Sequence, residues 1–142
     1  MTSPTTLARP VPSRSKSAAR PVRILYADDL KELRELMGFV VGAEGHMLET
    51  CSNGALAYEH LRLAPATYDL VITDHHMPLM NGLELVRHIR QLPYAGRIIV
   101  FSSELDESVQ EEYLALGVDR VLAKPVLPRE LRQILAEMFP AV

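Results

Sequence analysis

From residue 22 onward the chain alternates between two patterns of hydrophobic and polar residues. Short apolar, β-branched runs are typical of buried strands, and segments with an apolar residue at every third or fourth position are typical of amphipathic helices. The first pattern predicts strands over residues 22–27, 46–50, 69–73, 97–101 and 119–123. The second predicts helices over residues 30–43, 54–63, 83–91, 106–116 and 128–139.

The strict alternation of strands and helices predicts the fold class. Such alternation is typical of a parallel α/β sheet, and right-handed crossovers leave few ways of joining its strands. At this size the commonest solution is a doubly wound five-stranded sheet of the flavodoxin-like order 2-1-3-4-5. We therefore expect that order, with five helices distributed over both faces of the sheet.

Several residues predict how the helices begin, end and pack. Asn53 is expected to be an N-cap, Gly117 a C-cap and Pro128 the first residue of the last helix. The apolar residues expected to face the core are Leu30, Leu33, Met37, Val40, Val41, Leu56, Ala57, Leu61, Leu85, Val86, Ile89, Leu131, Ile134, Leu135 and Met138.

The composition narrows the class of protein. With 142 residues, 48% of them hydrophobic, the chain suits one globular domain. Its longest apolar runs are of strand length, well short of the ~20 residues needed to cross a bilayer, so a soluble protein is expected. A single cysteine, Cys51, excludes an internal disulfide, and the absence of zinc-finger spacing excludes a structural zinc site. A reducing cytosol is the compartment that fits best.

The net charge of −3 is unevenly distributed along the chain. Residues 1–20 hold four basic residues and no acid, and are rich in Pro, Ser and Thr. Such a segment cannot offset the entropy lost on ordering, so we predict a disordered basic tail over 1–20 and a domain over 21–142. The tail also resembles an organellar transit peptide, although a solvated leader is favoured.

Polar residues follow four of the predicted strands at their carboxyl ends. They are Asp28 and Asp29 after the first strand, Asp74 after the third, Ser102 after the fourth and Lys124 after the fifth. Doubly wound sheets bind ligands at this edge, where the strand order reverses. Clustered carboxylates repel one another, so they need a cation to balance them. Together with a lysine and a hydroxyl, they indicate a site for a divalent metal beside a phosphate.

Residues 22–139 resemble the receiver domains of bacterial two-component signalling, of the stand-alone, CheY-like type. The matching segments are Ala27-Asp28-Asp29, the run from Val71 to Gly82 around Asp74, Val100-Phe101-Ser102-Ser103, and Lys124-Pro125. Any one of these segments alone would be weak evidence. Four of them in the same order, each at the end of a predicted strand, are specific.

The resemblance implies a phosphorylation site with Asp74 as the phosphoacceptor, which attacks a kinase phosphohistidine or a small acyl phosphate to form an aspartyl phosphate. Lys124 would contact the phosphate and Ser102 would donate a hydrogen bond to it. The residues expected to bind Mg²⁺ are Asp28, Asp29, Asp74 and, through its backbone carbonyl, His76. The Lys124–Pro125 peptide bond is expected to be cis.

The sequence departs from the family pattern at one position and is distinctive at two others. Val121 replaces the aromatic residue that usually precedes the lysine by three, so the usual coupling of hydroxyl and aromatic is in question. We expect Ser102 still to move, with the signal carried by the loop after the fourth strand or by the helix over 106–116. His76 and Glu104, two residues after Asp74 and Ser102, border the path of attacking water. We hypothesise that they set the lifetime of the phosphate.

The function implied is that of a single-domain response regulator, phosphorylated by a sensor histidine kinase or a phosphorelay. It would signal by phosphorylation-dependent protein binding or by onward transfer to a histidine phosphotransfer protein. The expected contact surface is the helix over 106–116, the strand over 119–123 and the helix over 128–139. We expect a cytoplasmic protein without membrane insertion, direct DNA binding or enzymatic activity beyond its own phosphorylation and dephosphorylation, and a homodimer is compatible with the sequence.

Two other classes of protein share this fold type but fit the sequence less well. A phosphohydrolase that forms an aspartyl phosphate on a related fold is the alternative, but such enzymes need an acid two residues after the nucleophile, where His76 stands. A cofactor binder of the flavodoxin type needs a phosphate loop after the first strand, where Asp28 and Asp29 would repel the ligand. P-loop chemistry is excluded because the sequence contains no GxxxxGK[ST] motif.

Overall fold

The computed structural model describes residues 19–104 and 106–141, and it contains every predicted strand and helix within two residues of its predicted ends. The strands are β1 (Arg23–Ala27), β2 (Met47–Cys51), β3 (Leu70–Asp74), β4 (Arg97–Ser102) and β5 (Arg120–Ala123). The helices are α1 (Lys31–Gly42), α2 (Gly54–Leu63), α3 (Gly82–Ile89), α4 (Glu107–Ala115) and α5 (Pro128–Met138). The described residues fall into two compact units, 22–126 on the one hand and 19–21 with 127–141 on the other.

The five strands form one sheet in the order β2-β1-β3-β4-β5, and every neighbouring pair is parallel. This confirms the predicted doubly wound order. In the register, Ala27 of β1 lies beside Thr73 of β3, and Asp74 of β3 lies beside Phe101 of β4. The carboxyl ends of the three central strands therefore meet at one edge, where the strand order reverses.

The central strands are buried on both faces of the sheet. All five residues of β3 are buried, and so are all but the first residue of β1 and of β4. One apolar cluster joins alternate strand residues to α2, α3 and α4, and includes Leu25, Val71, Ile98, Val100, Ala57, Leu61, Leu85, Val86, Ile89 and Tyr113. The intervening strand residues, such as Ile24 and Ile72, are buried as well. This double burial explains the continuous apolar runs in the sequence.

The predicted helix ends are present. The side chain of Asn53 accepts a hydrogen bond from the backbone N–H of Leu56 at 2.9 Å, as an N-cap does. Gly117 follows α4 with a φ of 81°, and Pro128 stands at the start of α5. None of the helices within the described residues combines the length and the apolar character that crossing a bilayer requires.

Two residues that were predicted to face the core are exposed instead. Leu30 is 49% exposed because it occupies the N-cap position of α1, outside the buried stripe that contains Met37 and Val41. Leu56 is 47% exposed because the buried residues of α2 include Ala57 and Leu61. At about 100° per residue, Leu56 lies on the opposite side of that helix.

The smaller unit contains α5, and the four apolar residues predicted for its inner face are buried, namely Leu131, Ile134, Leu135 and Met138. In the same unit Ala19 forms an antiparallel bridge with Pro140, and the backbone N–H of Arg20 donates to the carbonyl of Phe139 at 2.9 Å. The rest of the predicted disordered tail, residues 1–18, lies outside the described residues.

Candidate functional site

Three aspartates come together at the carboxyl ends of β1 and β3. One carboxylate oxygen from each of Asp28, Asp29 and Asp74 lies within 4.8 Å of the other two. Asp28 is fully buried and Asp74 is 5% exposed, whereas Asp29 faces solvent. The structure thus brings together the three carboxylates that the sequence analysis selected.

Lys124 supplies the positive charge that faces this cluster. Its Nζ lies 3.2 Å from Oδ1 of Asp74 and 3.6 Å from Oδ2 of Asp28. The lysine directly follows β5, and the Lys124–Pro125 peptide bond is cis, as the resemblance implies. One ammonium group cannot neutralise three carboxylates, and buried charge without a partner is costly. The site therefore carries an excess of negative charge.

Asp28 is held in place by two hydrogen bonds to its carboxylate. The Tyr26 hydroxyl donates to Oδ2 at 2.6 Å, and the backbone N–H of Leu30 donates to Oδ1 at 2.9 Å. Burial, followed by the hydrogen bond to Asp28, raises the pKa of Tyr26, so its phenol remains a donor. Tyr26 is not among the site residues predicted from the sequence. Two-residue periodicity was the available signal, since alternate strand residues lie on the same face.

Asp74 is buried beside like charge. Burial raises the pKa of its carboxyl group, the charge of Asp28 raises it further, and Lys124 opposes the rise. The ionised carboxylate is thus less favourable here than in water. A bound divalent cation would favour the ionised form, which is also the nucleophilic one.

Ser102 is the last residue of β4 and is 2% exposed. Its hydroxyl donates to the backbone carbonyl of Glu104 at 2.5 Å, and it accepts from the N–H of the same residue at 3.1 Å. The hydroxyl is thus engaged with its own loop. To donate to a phosphate, Ser102 has to give up the bond to the Glu104 carbonyl.

Two adjacent histidines follow Asp74 in the loop after β3. Their rings lie edge to face with centroids 4.7 Å apart, so the two side chains do not point to opposite sides as adjacent residues of a strand do. Strand alternation ends with Asp74, the last residue of β3. The side chain of His76, the residue predicted to bind metal through its carbonyl, lies with Nε2 3.2 Å from Oε1 of Glu104.

His75 makes a contact that the sequence analysis missed. Its Nδ1 lies 2.5 Å from the hydroxyl of Tyr113 in α4, and the two rings meet edge to face with centroids 5.5 Å apart. Burial, and next the neighbouring His76, lowers the pKa of His75, which favours the neutral ring. The two residues are 38 positions apart, and no local pattern predicts such a pair.

The acidic cluster has the chemistry of a site for a hard divalent cation. Its three side chains offer oxygen only, and no other group of three or more His, Cys, Asp or Glu ligands occurs among the described residues. Mg²⁺ prefers carboxylate oxygen and water over nitrogen or sulfur. Asp28, Asp29 and Asp74 therefore fit Mg²⁺, whereas a zinc site would need imidazole or thiolate.

Comparison with known proteins gives one consistent result. The family model described as "Response regulator receiver domain" matches residues 24–136. The chain is 35% identical over 127 residues to the gliding motility regulatory protein of Myxococcus xanthus, covering 88% of this chain and 16% of that protein. It is 30% identical over 122 residues to a two-component response regulator of Oryza sativa subsp. japonica, covering 84% of this chain and 96% of that protein.

Solved structures share the fold. The chemotaxis protein CheY4 of Vibrio cholerae superposes with a TM-score of 0.77 at 25% identity, covering 84% of this chain and all of that one. The receiver domain of a Pseudomonas aeruginosa sensor histidine kinase, solved with magnesium coordinated in its active-site cleft, gives a TM-score of 0.74 at 22% identity. That match covers 84% of this chain and 98% of that one. Among the curated relatives, however, the chain spans only 16–18% of the first proteins that it matches, so the activities of those whole proteins are not carried over.

Proposed function

The chain belongs to the response regulator receiver domains, and from this premise we propose that it is a signalling switch phosphorylated on Asp74. The observation that carries the proposal is the buried Asp74 carboxylate, which lies 3.2 Å from Lys124 within a cluster of three aspartates. A nucleophilic carboxylate, a metal site and a fixed cation are the three parts that phosphoryl transfer to an aspartate requires.

In the proposed reaction an oxygen of Asp74 attacks the phosphorus of a phosphohistidine or of a small acyl phosphate. The new P–O bond forms as the bond from phosphorus to the imidazole nitrogen or acyl oxygen breaks, and the leaving group keeps the electron pair. Mg²⁺, when bound by the aspartates, would neutralise charge on the transferring group. No group of this chain needs to supply a proton to the acceptor oxygen, because the carboxylate attacks in its ionised form.

The remaining residues position charge and hydrogen bonds around that step. Lys124 lies within hydrogen-bonding distance of Asp74, so its ammonium can pass to a phosphoryl oxygen with little movement. Asp28 keeps its orientation through Tyr26 and Leu30. Ser102 would exchange the Glu104 carbonyl for a phosphoryl oxygen, a change of hydroxyl partner within one loop.

In the cell this switch would receive its phosphoryl group from a sensor histidine kinase or a histidine phosphotransfer protein in the cytoplasm. The signal would pass on by protein binding, with α4 and β5 as the proposed contact surface, or by onward phosphotransfer. We propose no turnover of an external substrate. Where a phosphohydrolase needs a second acid this chain has His76, and its imidazole lies beside Glu104.

The test is phosphorylation by a small phosphodonor, followed by intact mass. With acetyl phosphate and Mg²⁺, we expect the wild type to gain the mass of one phosphoryl group, and the gain to be labile to base and absent with EDTA. Asp74→Asn should gain nothing. Asp69→Asn is the matched control, because Asp69 precedes the same strand at its other end and pairs with Arg23.

Three outcomes would contradict the proposal. If the wild type gained no phosphoryl group, the proposed phosphorylated switch would be wrong. If Asp74→Asn were phosphorylated, the acceptor would be a residue other than Asp74. Rapid release of phosphate over many turnovers would instead favour the phosphohydrolase.

A further inference from the structure

The position at which receiver domains usually carry an aromatic residue on the fifth strand holds a small side chain here. Val121 of β5 is partly buried and pairs with Val100 of β4. Strand β5 therefore has no aromatic ring to place beside Ser102. An aromatic ring does reach the phosphorylation site from another element. Tyr113 of α4 is 1% exposed and contacts His75, the residue directly after Asp74.

His75 is fixed to the site through its backbone as well as its side chain. Its N–H donates to the carbonyl of Phe101 in β4 at 2.9 Å, and its carbonyl accepts from the N–H of Gly82 at 2.9 Å. Its Nδ1 forms the hydrogen bond to the hydroxyl of Tyr113. One residue therefore links the end of β3, the neighbouring strand, the start of α3 and the interior face of α4.

The junction between these elements has no spare volume. A Cβ atom added to Gly82 would lie 2.6 Å from the carbonyl oxygen of Asp74, 2.7 Å from the hydroxyl of Tyr113 and 3.0 Å from Cα of His75. Close-packed interiors transmit displacement because their atoms have no room in which to relax. Movement of the backbone at Asp74 or His75 therefore requires movement of Tyr113.

Tyr113 is the main buried contact of helix α4, and Val109 is partly buried against the same apolar cluster. Of the nine residues of α4, all of them described, only Tyr113 is buried. The ties to α3 are polar and lie near the carboxyl end of α4, where Arg87 pairs with Glu112 at 2.6 Å and Nε of Arg90 donates to the carbonyl of Leu116 at 2.6 Å. An element with so few buried apolar contacts is readily displaced.

We propose that the hydrogen bond between His75 and Tyr113 transmits the phosphorylation state of Asp74 to α4, in place of an aromatic residue on β5. This inference rests on the proposed function, since it names the regulation of the same site. Phosphorylation adds charge and volume at Asp74 and draws Lys124 onto the phosphate. The backbone at the end of β3 then shifts, and the shift reaches α4 through His75 and Tyr113.

The charge of Asp74 already acts on the tyrosine. Burial and, after it, the charge of Asp74 raise the pKa of Tyr113, so an ionised phenolate is disfavoured beside the acceptor carboxylate. A phosphoryl group adds further negative charge there. The hydroxyl is then more strongly constrained to donate, and the ring nitrogen within hydrogen-bonding distance of it is Nδ1 of His75.

The test is amide NMR of the full chain with Mg²⁺ and beryllofluoride, which stands in for the phosphoryl group. Amides next to Asp74 and Lys124 report occupancy of the site, and amides of α4 report transmission. In Tyr113→Phe, which removes only the hydroxyl, we expect the site amides to shift as in the wild type. The shifts across α4 should fall well below those of the wild type.

Two further variants separate transmission from packing. Tyr94→Phe removes another buried hydroxyl, one that donates to the carbonyl of Arg97 at 3.2 Å, and it should leave the α4 shifts unchanged. For the histidine, His75→Phe keeps a ring but loses the acceptor and should reproduce Tyr113→Phe. His75→Asn can offer an amide oxygen near the position of Nδ1 and should restore most of the α4 response.

The outcomes distinguish this inference from the proposed function. Undiminished α4 shifts in Tyr113→Phe and His75→Phe, with the site amides responding, would overturn the inference and leave the phosphorylated switch intact. Loss of the site response in Tyr113→Phe, with Tyr94→Phe normal, would make the tyrosine part of the binding site and would also overturn the inference. A wild type whose site amides do not respond would overturn the proposed function itself.

Discussion

The two ends of the parallel sheet use aspartate in opposite ways. At the amino end each acid has a partner of its own. Asp69 accepts from the backbone N–H of Arg23 at 2.9 Å and faces its guanidinium at 3.6 Å. Asp119 accepts from Nε of Arg97 at 2.8 Å and from the N–H of Ile98 at 2.9 Å. At the carboxyl end three aspartates share a single lysine.

The difference shows that charge balance, and not residue type, separates a structural aspartate from a functional one. At the amino end, charge and hydrogen-bonding capacity are both satisfied within the protein, so these acids stabilise the sheet. At the carboxyl end the surplus of negative charge costs stability, and it would favour a bound cation. The predictions below test this contrast, from the largest expected effect to the smallest.

Lys124→Met removes the ammonium that faces the carboxylates, whereas the Arg34 guanidinium, which donates to the backbone carbonyl of Asp28 at 2.7 Å, stays. We expect the rate of phosphorylation by acetyl phosphate to fall by about 100-fold or more, the usual cost of losing a fixed charge beside a transition state. Arg97→Met is the matched change at the amino end, and it should lower the free energy of unfolding without slowing phosphorylation. Phosphorylation rates by intact mass and urea unfolding measure both effects. Equal loss of phosphorylation in the two variants would contradict the contrast.

Asp74→Asn and Asp119→Asn should change stability in opposite directions. With EDTA present at neutral pH, Asp74→Asn should raise the free energy of unfolding by about 1–2 kcal/mol, because it removes repulsion between carboxylates only a few ångströms apart. The raised pKa of Asp74 has the same sign, because burial and, after it, the charge of Asp28 make its charged form oppose folding. Asp119→Asn should lower the free energy of unfolding by about 1–2 kcal/mol through its lost hydrogen bonds.

Urea unfolding checks both values, and excess Mg²⁺ serves as the control. Mg²⁺ should raise the free energy of unfolding of the wild type above that of Asp74→Asn. It should leave unchanged the loss of unfolding free energy that Asp119→Asn causes. A destabilised Asp74→Asn chain in EDTA would mean that the carboxyl end is charge-balanced after all.

His76 and Glu104 border the carboxyl end without belonging to its charged cluster. We expect His76→Ala and Glu104→Ala each to change the rate of phosphate loss by several-fold, a small effect beside direct charge removal. Because Nε2 and Oε1 of the two residues lie 3.2 Å apart, the double variant should differ from the sum of the single ones. Decay of the phosphorylated mass after donor removal measures this. Unchanged lifetimes in all three variants would show that neither residue controls the attacking water.

The amino end should respond to acid through His46. This residue is 7% exposed, and its Nδ1 accepts from the backbone N–H of Val22 at 3.0 Å. Burial lowers the pKa of His46, and the charge of Glu44 opposes the shift. Since protons then bind the unfolded chain more strongly, the stabilisation is complete above about pH 6.5 and declines as the pH falls toward the folded pKa.

The His46 prediction is measured against His46→Asn, which keeps an acceptor but does not titrate. The difference in the free energy of unfolding between wild type and variant should change by at most about 1 kcal/mol per pH unit below pH 6.5. Parallel curves for the two proteins would show that His46 does not contribute to the pH dependence.

The carboxyl-end cluster could be predicted because it depends only on where residues stand along the chain relative to the ends of the strands. Asp28 and Lys124 each follow a strand and Asp74 ends one, and parallel strands end on the same edge of a sheet, so the order of strands and residues implies that the three side chains meet. The pairing of Asp69 with Arg23 had no comparable signal. An acid before a strand is compatible with a loop, a cap or an ion pair, and only the register of β1 against β3 decides among them.

Other features depend on how helices pack and are not encoded locally. Leu56 and Leu61 offer two apolar sides of α2, and periodicity does not say which side faces the sheet. In α4 Val109 and Tyr113 stand four residues apart, but Leu114 and Ala115 on other sides of the helix blur that stripe, and Tyr113 is the only buried residue of the nine. Its contact with His75 follows from the close approach of α4 to the end of β3, which is a property of tertiary packing.

Two arginines, Arg87 within α3 and Arg90 after it, hold the carboxyl end of α4. Arg90 donates to the carbonyls of Leu116 and Gly117, and Arg87 pairs with Glu112, so the polar ties to α3 among the described residues lie near one end of the helix. A helix held mainly near one end tilts more easily than it moves along its axis. The nine residues of α4 span about 13 Å, so a tilt of about 10° about its carboxyl end moves its amino end by roughly 2 Å. Tyr113 lies near the carboxyl end of α4, where the contacts with α3 are. On the proposed route, a displacement of Tyr113 would therefore become larger toward Glu107, at the amino end of the helix.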